Sequence, residues 1–397
     1  MRTLSVLILS LALTAASAEE VIKLVSSLPR SGGLRALTQG VVNGIRMAID
    51  DAGGKVELGG VTYTIQFEDM DDASPARGGN WDANVEKDNA TRAVADPDVM
   101  AYIGTFNSGA AKISMPILNG AGLAMISPAN TTPSLTKPGT GDKDEPARWR
   151  PSGKVTYFRV VPADDIQSAG GAVWTRDLGI TKVFILHDKE AYGESIARFY
   201  RDQVTAMKIE VAGYEGIDTA SANFRSLVTK IRASGAGLVF FGATVDTKAP
   251  QLAKDLHASG VKAKLMMPDG CFTESLITGA GAEALEDRAL ITFGGVPADQ
   301  LQGAGQKFAQ QYRAKFKIEP ESYAAYGYES AAVVIDALKR AGKKDRAALI
   351  AALAATKDYA GVLGTWSFDA NGDTTLRTVS GNIVKNGKFE FAKILGE

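Results

Sequence analysis

Short apolar runs alternate with amphipathic segments up to about residue 291, and this alternation constrains the fold more than any other feature of the sequence. Between the first two runs, Leu37, Val41, Ile45 and Ile49 recur every four residues and form one apolar helical stripe. Parallel strands need long crossovers, which helices supply, so such repeats form parallel sheets covered by helices. The sequence therefore predicts the α/β class. The predicted strands are residues 21–26, 63–68, 100–104, 124–127, 182–187, 238–241 and 264–267.

The C-terminal third has a different pattern, in which two helical segments are followed by strands. Asn386-Gly387 separates the last two strands and favours a two-residue hairpin, because both residues adopt positive φ at little cost. A parallel α/β body that ends in a hairpin is expected to complete an earlier sheet. The predicted elements are helices 322–341 and 346–355 and strands 365–368, 380–385 and 388–394.

Composition excludes several functional classes. The chain has 44 Lys and Arg against 45 Asp and Glu, so it offers no general basic face for nucleic acid. One Cys and two His are too few for a disulfide, a cysteine zinc site or a three-histidine metal site. The sequence contains neither a Gly-x-Ser-x-Gly nucleophile elbow nor a phosphate-binding Gly-x-x-x-x-Gly-Lys-Ser/Thr loop. We therefore expect no catalytic residues, no metal and no cofactor.

Residues 1–18 have the features of a secretory signal peptide. Arg2 gives a positive start, a short apolar run follows, and Ala16-Ser17-Ala18 supplies the small residues that signal peptidase accepts. The apolar run is too short for a bilayer of about 30 Å, and no Cys follows it to carry a lipid anchor. We expect cleavage after Ala18 and export to an extracytoplasmic space, the bacterial periplasm.

Residues 138–153 do not fit the strand–helix pattern. Their Gly and Pro content predicts a loop, and Arg148-Trp149-Arg150 lies inside it. A loop of this length in a compact domain is typical of either a functional flap or a mobile segment, and the sequence leaves both open. As a flap, it would bring Trp149 towards a binding site.

Two neighbouring strands are followed by hydroxyl groups and backbone N–H groups at predicted helix starts. Parallel sheets bind ligands at these carboxyl ends, and such donors suit an anion such as a carboxylate. Composition alone favours helix capping as the role of Ser108 and Thr131. The candidate residues in these two loops are Phe106, Ser108, Ala129, Asn130 and Thr131.

Two later loops carry an aromatic and an acidic residue. Tyr192 would either cover a ligand with its ring or pack at a helix start. Asp269 follows the strand 264–267, and it would either pair with a cation or cap the next helix. A hydrolase that uses Asp269 or Cys271 is disfavoured, because no base lies near Cys271 in the sequence and no neighbour activates its thiol.

Several short motifs along the chain together resemble one known family. They are Gly32-Gly33, Ile126-Ser127-Pro128-Ala129 with Thr131, His187-Asp188-Lys189 with Tyr192-Gly193, Pro268-Asp269-Gly270, and residues 363–369. Their order is similar to that in the branched-chain (Leu/Ile/Val) amino-acid-binding proteins, the periplasmic substrate-binding proteins of ABC transporters. The resemblance covers essentially the whole chain after residue 18.

The resemblance implies the type I periplasmic binding protein fold. In this fold, two doubly wound, Rossmann-like lobes are joined by a three-crossing hinge, and closure traps a ligand in the cleft between them. The corresponding crossings lie near residues 158–162, 291–297 and 364–368. Each lobe is then discontinuous in sequence. Lobe 1 comprises residues 19–159 and 294–364, and lobe 2 comprises residues 160–293 and 365–397.

The resemblance also implies roles for residues in the cleft. Ser108, Ala129 and Thr131 match positions that hold the ligand's carboxylate through hydroxyl and backbone donors. Asp269 matches the acidic residue that accepts the ligand's ammonium group. Removing one partner of such a buried pair costs about 3–5 kcal/mol, so the arrangement discriminates against ligands that lack either group.

Three aromatic or polar positions complete the implied site. Tyr192 matches the aromatic residue that closes over the ligand from the opposite lobe, and Phe106 is expected in the wall around its side chain. Thr244 stands where the family tends to have an aromatic residue, which removes a cation–π contact to the ammonium.

The resemblance therefore implies a periplasmic, monomeric solute-binding receptor of an ABC importer, which is not an enzyme. Its ligand is expected to be a small carboxylate, an amino acid of the branched-chain or hydrophobic class, delivered to permease subunits in the membrane. Two alternatives stay open. One is a receptor of the same fold for an aromatic acid, an amide or a urea-like solute, and the other is a sensor that signals to a membrane kinase or chemoreceptor.

Overall fold

The computed structural model describes residues 20–396, so the predicted signal peptide lies outside the described residues. No helix within residues 20–396 is both long enough and apolar enough to cross a membrane. The strands are β1 Val21–Leu28, β2 Lys55–Leu58, β3 Val61–Asp71, β4 Val99–Gly104, β5 Ala124–Ser127, β6 Tyr157–Arg159, β7 Lys182–His187, β8 Glu210–Gly216, β9 Leu238–Gly242, β10 Lys264–Met267, β11 Ala289–Gly294, β12 Tyr359–Gly361, β13 Gly364–Trp366, β14 Val379–Lys385 and β15 Lys388–Ile394. The helices are α1 Arg35–Asp51, α2 Ala83–Ala95, α3 Ser108–Gly120, α4 Asp164–Asp177, α5 Ala191–Ala206, α6 Arg225–Ser234, α7 Ala249–Ala258, α8 Glu274–Ala280, α9 Ala282–Leu285, α10 Ala304–Phe316, α11 Ala324–Ala341 and α12 Arg346–Ala354.

The first sheet has the spatial order β2-β3-β1-β4-β5-β6, and only its β2–β3 pair is antiparallel. Every residue of β4 and β5 is buried, because helices cover both faces of the sheet. A strand buried on both faces needs an unbroken apolar run instead of an alternating one. This is why both strands could be predicted from short apolar runs.

The second sheet has the spatial order β15-β14-β11-β10-β9-β7-β8. Strands β7 to β11 pair in parallel, and β14 pairs antiparallel with both β11 and β15. Asn386 and Gly387 adopt φ values of 51° and 69° in the turn between the last two strands. The predicted hairpin is confirmed, and it completes the second sheet beside β11.

The chain passes between the two sheets three times, from β6 to α4, from β11 to α10, and from β13 to β14. After the second passage, α11 packs on α1 and α12 packs on β4 and β5. We call the first sheet with its helices the first lobe, and the second sheet with its helices the second lobe. The predicted α/β architecture, with two lobes joined by three crossings, is confirmed.

Helix α1 buries the predicted apolar stripe against the first sheet and α11. Leu37, Val41 and Ile45 are 0% exposed, and Ile49 is 7% exposed. Full burial of one such side chain stabilises the fold by about 1.5–3 kcal/mol. The stripe therefore fixes which face of α1 points inward.

Helices α1 and α11 approach so closely at Gly44 that no side chain fits there. A Cβ atom on Gly44 would lie 2.1 Å from the carbonyl oxygen of Ala324 and 2.6 Å from the amide nitrogen of Tyr328. We expect Gly44→Ala to lower the free energy of unfolding by about 1–3 kcal/mol, because the two helix backbones must separate. Urea unfolding of the purified variant measures this loss.

Gly120 provides the matched control for this substitution. It is also helical, but a Cβ atom there would meet only Pro151 Cγ, at 3.9 Å. Since Ala favours helix over Gly, Gly120→Ala should leave stability unchanged or raise it slightly. Equal stability of the two variants would contradict the close helix contact.

Candidate functional site

A small cavity lies between the lobes, where the carboxyl ends of the two sheets face each other. Its volume of about 10 Å³ holds about one water molecule, so the two lobes are nearly in contact here and must move apart to admit a solute. The first lobe contributes loops after β4 and β5, and the second contributes loops after β7, β9 and β10. The cavity is lined by Phe106, Asn107, Ala129, Tyr192, Thr244, Asp269 and Gly270.

The structure brings together five residues that were predicted from the sequence. Phe106 and Ala129 line the cavity from the first lobe, whereas Tyr192, Thr244 and Asp269 line it from the second. They meet because each follows the carboxyl end of a strand, and these ends of the two sheets point into the same gap. This position, between residues of both lobes, fits a small solute held by both lobes.

The other three predicted residues are buried in the first lobe next to the lining residues Asn107 and Ala129, and they do not themselves line the cavity. Ser108 and Thr131 are each 1% exposed, and Asn130 is 0% exposed. The side-chain amide of Asn130 donates to Thr105 Oγ1 at 3.2 Å and to the Phe106 carbonyl at 2.9 Å. Asn130 therefore ties the loop after β5 to the loop after β4, and its side chain does not line the cavity.

The Asp269 carboxylate is 3% exposed and accepts hydrogen bonds from uncharged donors. Gln167 Nε2 and the Tyr192 hydroxyl each lie 2.7 Å from Oδ1, and the Tyr323 hydroxyl donates to Oδ2. Burial raises the pKa of Asp269, although these three hydrogen bonds oppose the shift. None of the ion pairs between described residues includes Asp269.

Two partners of Asp269, Gln167 and Tyr323, were missed by the sequence analysis. Gln167 lies in the first turn of α4, and Tyr323 lies immediately before α11 in the first lobe. The Tyr323 hydrogen bond therefore joins the two lobes, and its ring also contacts Phe106 edge-on with centroids 5.2 Å apart. The local sequence gives no signal for either contact. A Tyr at the start of an apolar helix is expected to pack in the core.

Thr131 presents two donors that have no partner within the described part of the chain. Neither its amide N–H nor its hydroxyl makes a hydrogen bond, whereas its carbonyl accepts from the Asp164 N–H at 2.8 Å. The Ala129 N–H, in contrast, donates to Ser127 Oγ at 3.1 Å. Thr131 rather than Ala129 therefore has backbone and hydroxyl donors available for an anion.

The structure decides against helix capping as the role of Ser108, Thr131 and Asp269. Asn107 is the N-cap of α3, and Ser108 follows it as the first helical residue, with its hydroxyl accepting from the Thr132 N–H at 3.5 Å. Thr131 precedes Thr132, the N-cap of a 3₁₀ turn, and Asp269 makes no capping bond. Since α3 starts without a side-chain cap, its first N–H groups also favour an anion.

Unpartnered acceptors on α4 accompany Asp269 in the second lobe. Both carboxylate oxygens of Asp164 and the Oε1 atom of Gln167 are buried and make no hydrogen bond with a described residue. Burial and the charge of Asp269 raise the pKa of Asp164 well above its ordinary value. The second lobe thus offers acceptors for a cationic group, while the first lobe offers donors for an anionic one.

Residues 138–153 pack on the first lobe and leave Trp149 outside the cavity lining. The Trp149 ring contacts α3 and lies 4.5 Å from the guanidinium carbon of Arg148 and 5.5 Å from Lys112 Nζ. The segment contains turns and one 3₁₀ turn, Ala147–Trp149. The loop prediction is confirmed, but the suggestion that Trp149 reaches the ligand is not supported by this placement.

Cys271 has the environment of a packed thiol. Its Sγ lies 3.4 Å from the Ala243 carbonyl, and burial raises the pKa of the thiol well above its ordinary value, so it stays protonated. No group of three or more His, Cys, Asp or Glu residues between 20 and 396 is arranged to hold a metal ion. The geometry around Cys271 gives no support to the hydrolase alternative.

Comparison with known proteins points to one family. Residues 21–384 match the model of a family described as periplasmic binding protein. An amino acid binding protein of Pseudomonas aeruginosa is 32% identical over 259 residues, which make up 65% of this chain and 64% of that protein. The matched region thus spans slightly less than two thirds of that relative.

Solved structures with the same fold hold two kinds of ligand. The branched-chain amino acid transporter substrate-binding protein of Streptococcus pneumoniae, in complex with isoleucine, is 25% identical with a TM-score of 0.80, and the match covers 95% of this chain and 99% of that one. An ABC transporter solute-binding protein of Rhodopseudomonas palustris, in complex with p-hydroxybenzoic acid, is 18% identical with a TM-score of 0.79, and the match covers 95% and 97%. The second likeness shows the fold alone.

Proposed function

The chain belongs to the periplasmic binding protein family, and we propose that it is the non-enzymatic receptor of an ABC importer that captures a small α-amino acid by closure of its two lobes. The names of the Pseudomonas relative and of the isoleucine-bound Streptococcus protein support an amino acid ligand. A branched-chain or other hydrophobic side chain would pack against the Phe106 wall of the cavity.

The observation that carries this proposal is the separation of donors and acceptors between the lobes. The first lobe presents the free N–H and hydroxyl of Thr131, the Ser108 hydroxyl and the uncapped start of α3. The second lobe presents the buried carboxylate of Asp269 with no cation paired to it. An α-amino acid carries a carboxylate and an ammonium on one carbon atom, so it would satisfy both sides only when the lobes are closed.

The remaining cavity residues take supporting roles in this proposal. Tyr192 holds Asp269 and covers the ligand, and Phe106, Ala129 and Thr244 form the walls. Because the Ala129 N–H is bonded to Ser127, the carboxylate is held chiefly through Thr131 and Ser108. Asn130 contributes by fixing the loop.

The proposal includes a cellular setting. Residues 1–18 act as a signal peptide that is removed after Ala18, and the mature chain works in the periplasm as a monomer. Its partners are the permease subunits of the transporter. The hinge divides it into residues 19–159 with 294–364 and residues 160–293 with 365–397.

A second candidate ligand is an aromatic acid. Two tyrosyl hydroxyls and one amide already satisfy Asp269 without a cation, and a structural neighbour holds p-hydroxybenzoic acid. Such an acid would use the donors of the first lobe but would leave Asp269 without an ammonium partner. The two candidates therefore differ in their need for Asp269.

Ligand binding to the purified mature protein tests the proposal. The protein is unfolded and refolded to remove bound solutes, and titration calorimetry follows leucine, leucinamide, 4-methylpentanoate and 4-hydroxybenzoate. We expect binding of leucine and no measurable binding of its amide or of its analogue without the amino group, since each leaves one buried group unpaired. Binding of 4-hydroxybenzoate alone would establish the second candidate, and failure of every amino acid would overturn the first.

A further inference from the structure

Arg159 is a fully buried cation at the end of β6, where the chain first leaves the first lobe. Its Nε and Nη2 atoms lie 2.8 and 3.2 Å from the carboxylate oxygens of Asp373. Its Nη1 atom bonds the carbonyls of Asn130 and Thr132 at 3.2 and 2.9 Å, and Nη2 also bonds Thr136 Oγ1 at 2.5 Å. These five contacts form a fork that the three donors of a Lys ammonium cannot reproduce.

The contact with the Asn130 carbonyl fixes the peptide that precedes Thr131, and the contact with the Thr132 carbonyl fixes the peptide between Thr132 and Pro133. In a trans peptide, the C=O group and the following N–H group point in opposite directions. Because the Asn130 carbonyl points at the guanidinium, the Thr131 N–H points away from it. That N–H is one of the two donors of Thr131 without a protein partner.

Asp373 connects the same guanidinium to another crossing, because it lies between β13 and β14. Backbone pairing reinforces the contact, since the Arg159 N–H donates to the Gly372 carbonyl at 3.0 Å and the Thr374 N–H donates to the Arg159 carbonyl at 3.1 Å. The Asp373 carboxylate also accepts from the Thr136 hydroxyl at 3.0 Å. The loop with Thr131 and the first and third crossings thus share one buried network.

We propose that Arg159 is a positioning residue for ligand capture. Paired with Asp373, it sets the direction of the Thr131 amide and links that amide to two of the three crossings, and it does so without touching the ligand. This inference rests on the proposed function, because it concerns the loop that would hold the ligand's carboxylate.

Arg159→Lys tests the inference, because it keeps the charge and removes the fork. We expect the affinity for leucine to fall about 10- to 100-fold, the effect of losing hydrogen bonds to a charged group. The preference for leucine over leucinamide should fall with it, because the loss concerns the carboxylate. The preference for leucine over 4-methylpentanoate should be retained, since the Asp269 side is unchanged. Titration calorimetry measures all three ligands.

Arg346→Lys is the matched control. The Arg346 guanidinium also bonds backbone carbonyls, those of Val99 at 3.0 Å and Asp96 at 2.6 Å, but it does so at the amino-terminal end of β4, opposite the cavity. Its replacement should lower the melting temperature while the affinity for leucine and the preference over leucinamide stay at wild-type values. A purely structural role for Arg159 would give this same pattern.

Asp373→Asn provides a second variant in case Arg159→Lys does not fold, and it should reduce affinity and carboxylate preference in the same direction. If both variants bind leucine as the wild type does and still discriminate fully against leucinamide, the positioning role of Arg159 is overturned. The proposed function is not affected by that outcome. A wild-type protein that does not bind leucine contradicts the proposed function and removes the ground for this inference.

Discussion

Replacing Asp269 with Asn should weaken leucine binding more than about 100-fold while the protein stays folded. A buried ammonium without its carboxylate partner loses about 3–5 kcal/mol, and each 1.4 kcal/mol is a factor of ten in affinity. Asn has nearly the same shape, and its Oδ1 atom can still accept from Gln167 and Tyr192 as the carboxylate does. Titration calorimetry gives the affinity, and thermal unfolding checks the fold.

Asp188→Asn is the control for burial of an acid. The Asp188 carboxylate is also buried and bonded, to Thr247 Oγ1 at 2.7 Å and to the Glu190 N–H at 2.9 Å, but it does not line the cavity. We expect this variant to bind leucine with wild-type affinity. Leucine binding that survives Asp269→Asn would show that another group receives the ammonium.

The same variant separates the two candidate ligands. An aromatic acid brings no ammonium to Asp269, so its affinity should be unchanged or higher in Asp269→Asn, where no buried charge remains. Tyr323→Phe would not make this distinction, because the Tyr323 hydroxyl joins Asp269 to the first lobe whichever ligand binds. The charge of Asp269 is therefore the sharpest discriminator that the site offers.

Many strands of the two sheets could be predicted because they are buried on both faces. β5, β7 and β10 have the predicted bounds, and β4 and β9 differ from prediction by one residue at one end. β15 also has its predicted bounds, but it is an edge strand of alternating exposed and half-buried residues, and the Asn386-Gly387 turn signal indicated where it begins. The strand β13 is shorter than predicted, since it pairs only with β12 in a small two-stranded sheet and joins neither large one. Apolar runs record burial, but they do not record which partner a strand will have.

The site was only partly predictable for a related reason. The rule that ligands bind at carboxyl ends of parallel strands located Tyr192 and Asp269, because each follows a recognisable buried strand. Gln167 and Tyr323 reach Asp269 from helix starts that lie 102 and 54 positions away in the sequence. Gln167 meets Asp269 through the packing of α4 on the second sheet, whereas Tyr323 reaches it across the gap between the lobes. Nothing local to either residue encodes these contacts.

The free N–H of Thr131 shows a second limit of sequence reasoning. Whether a backbone donor is available depends on which way its peptide faces, and here Arg159 sets that direction from outside the loop. The family resemblance implies donors at both Ala129 and Thr131, whereas the structure uses the Ala129 N–H internally. Side-chain identity therefore predicted the chemistry of the site, but it did not predict which backbone N–H groups are free to bind a ligand.

The ligand-free protein should lose stability as the pH rises from about 4.5 to about 7. Burial raises the pKa of four carboxyl groups to about 7, so they keep their protons in the folded state where the unfolded chain loses them. The folded state then binds more protons, and the free energy of unfolding falls with rising pH by at most about 1.4 kcal/mol per group per pH unit. These groups are Glu86, Asp188, Glu321 and Glu329.

Groups whose lowered pKa makes stability rise with pH either titrate outside this pH range or are fewer than the four carboxyls. Hydrogen bonds and opposite charges lower the pKa of Asp96 and Asp373, so their stabilisation is present above about pH 4 and is lost only in stronger acid. Burial lowers the pKa of His187, which makes stability rise with pH near 6, but this is one proton against four. The net slope between pH 4.5 and 7 should therefore be negative.

Urea unfolding at pH 5, 6 and 7 without ligand measures this slope. Glu321→Gln should make the slope less negative by the equivalent of up to one bound proton, about 1.4 kcal/mol per pH unit. Glu319→Gln, two positions earlier with a side chain that is 76% exposed, should leave it unchanged. A stability that rises from pH 5 to 7 would contradict the buried protonated carboxyls.

Leucine should act against the slope, because its ammonium pairs only with ionised Asp269, whose raised pKa makes protons compete at low pH. The stabilisation by leucine should consequently decrease as the pH falls towards the raised pKa of Asp269.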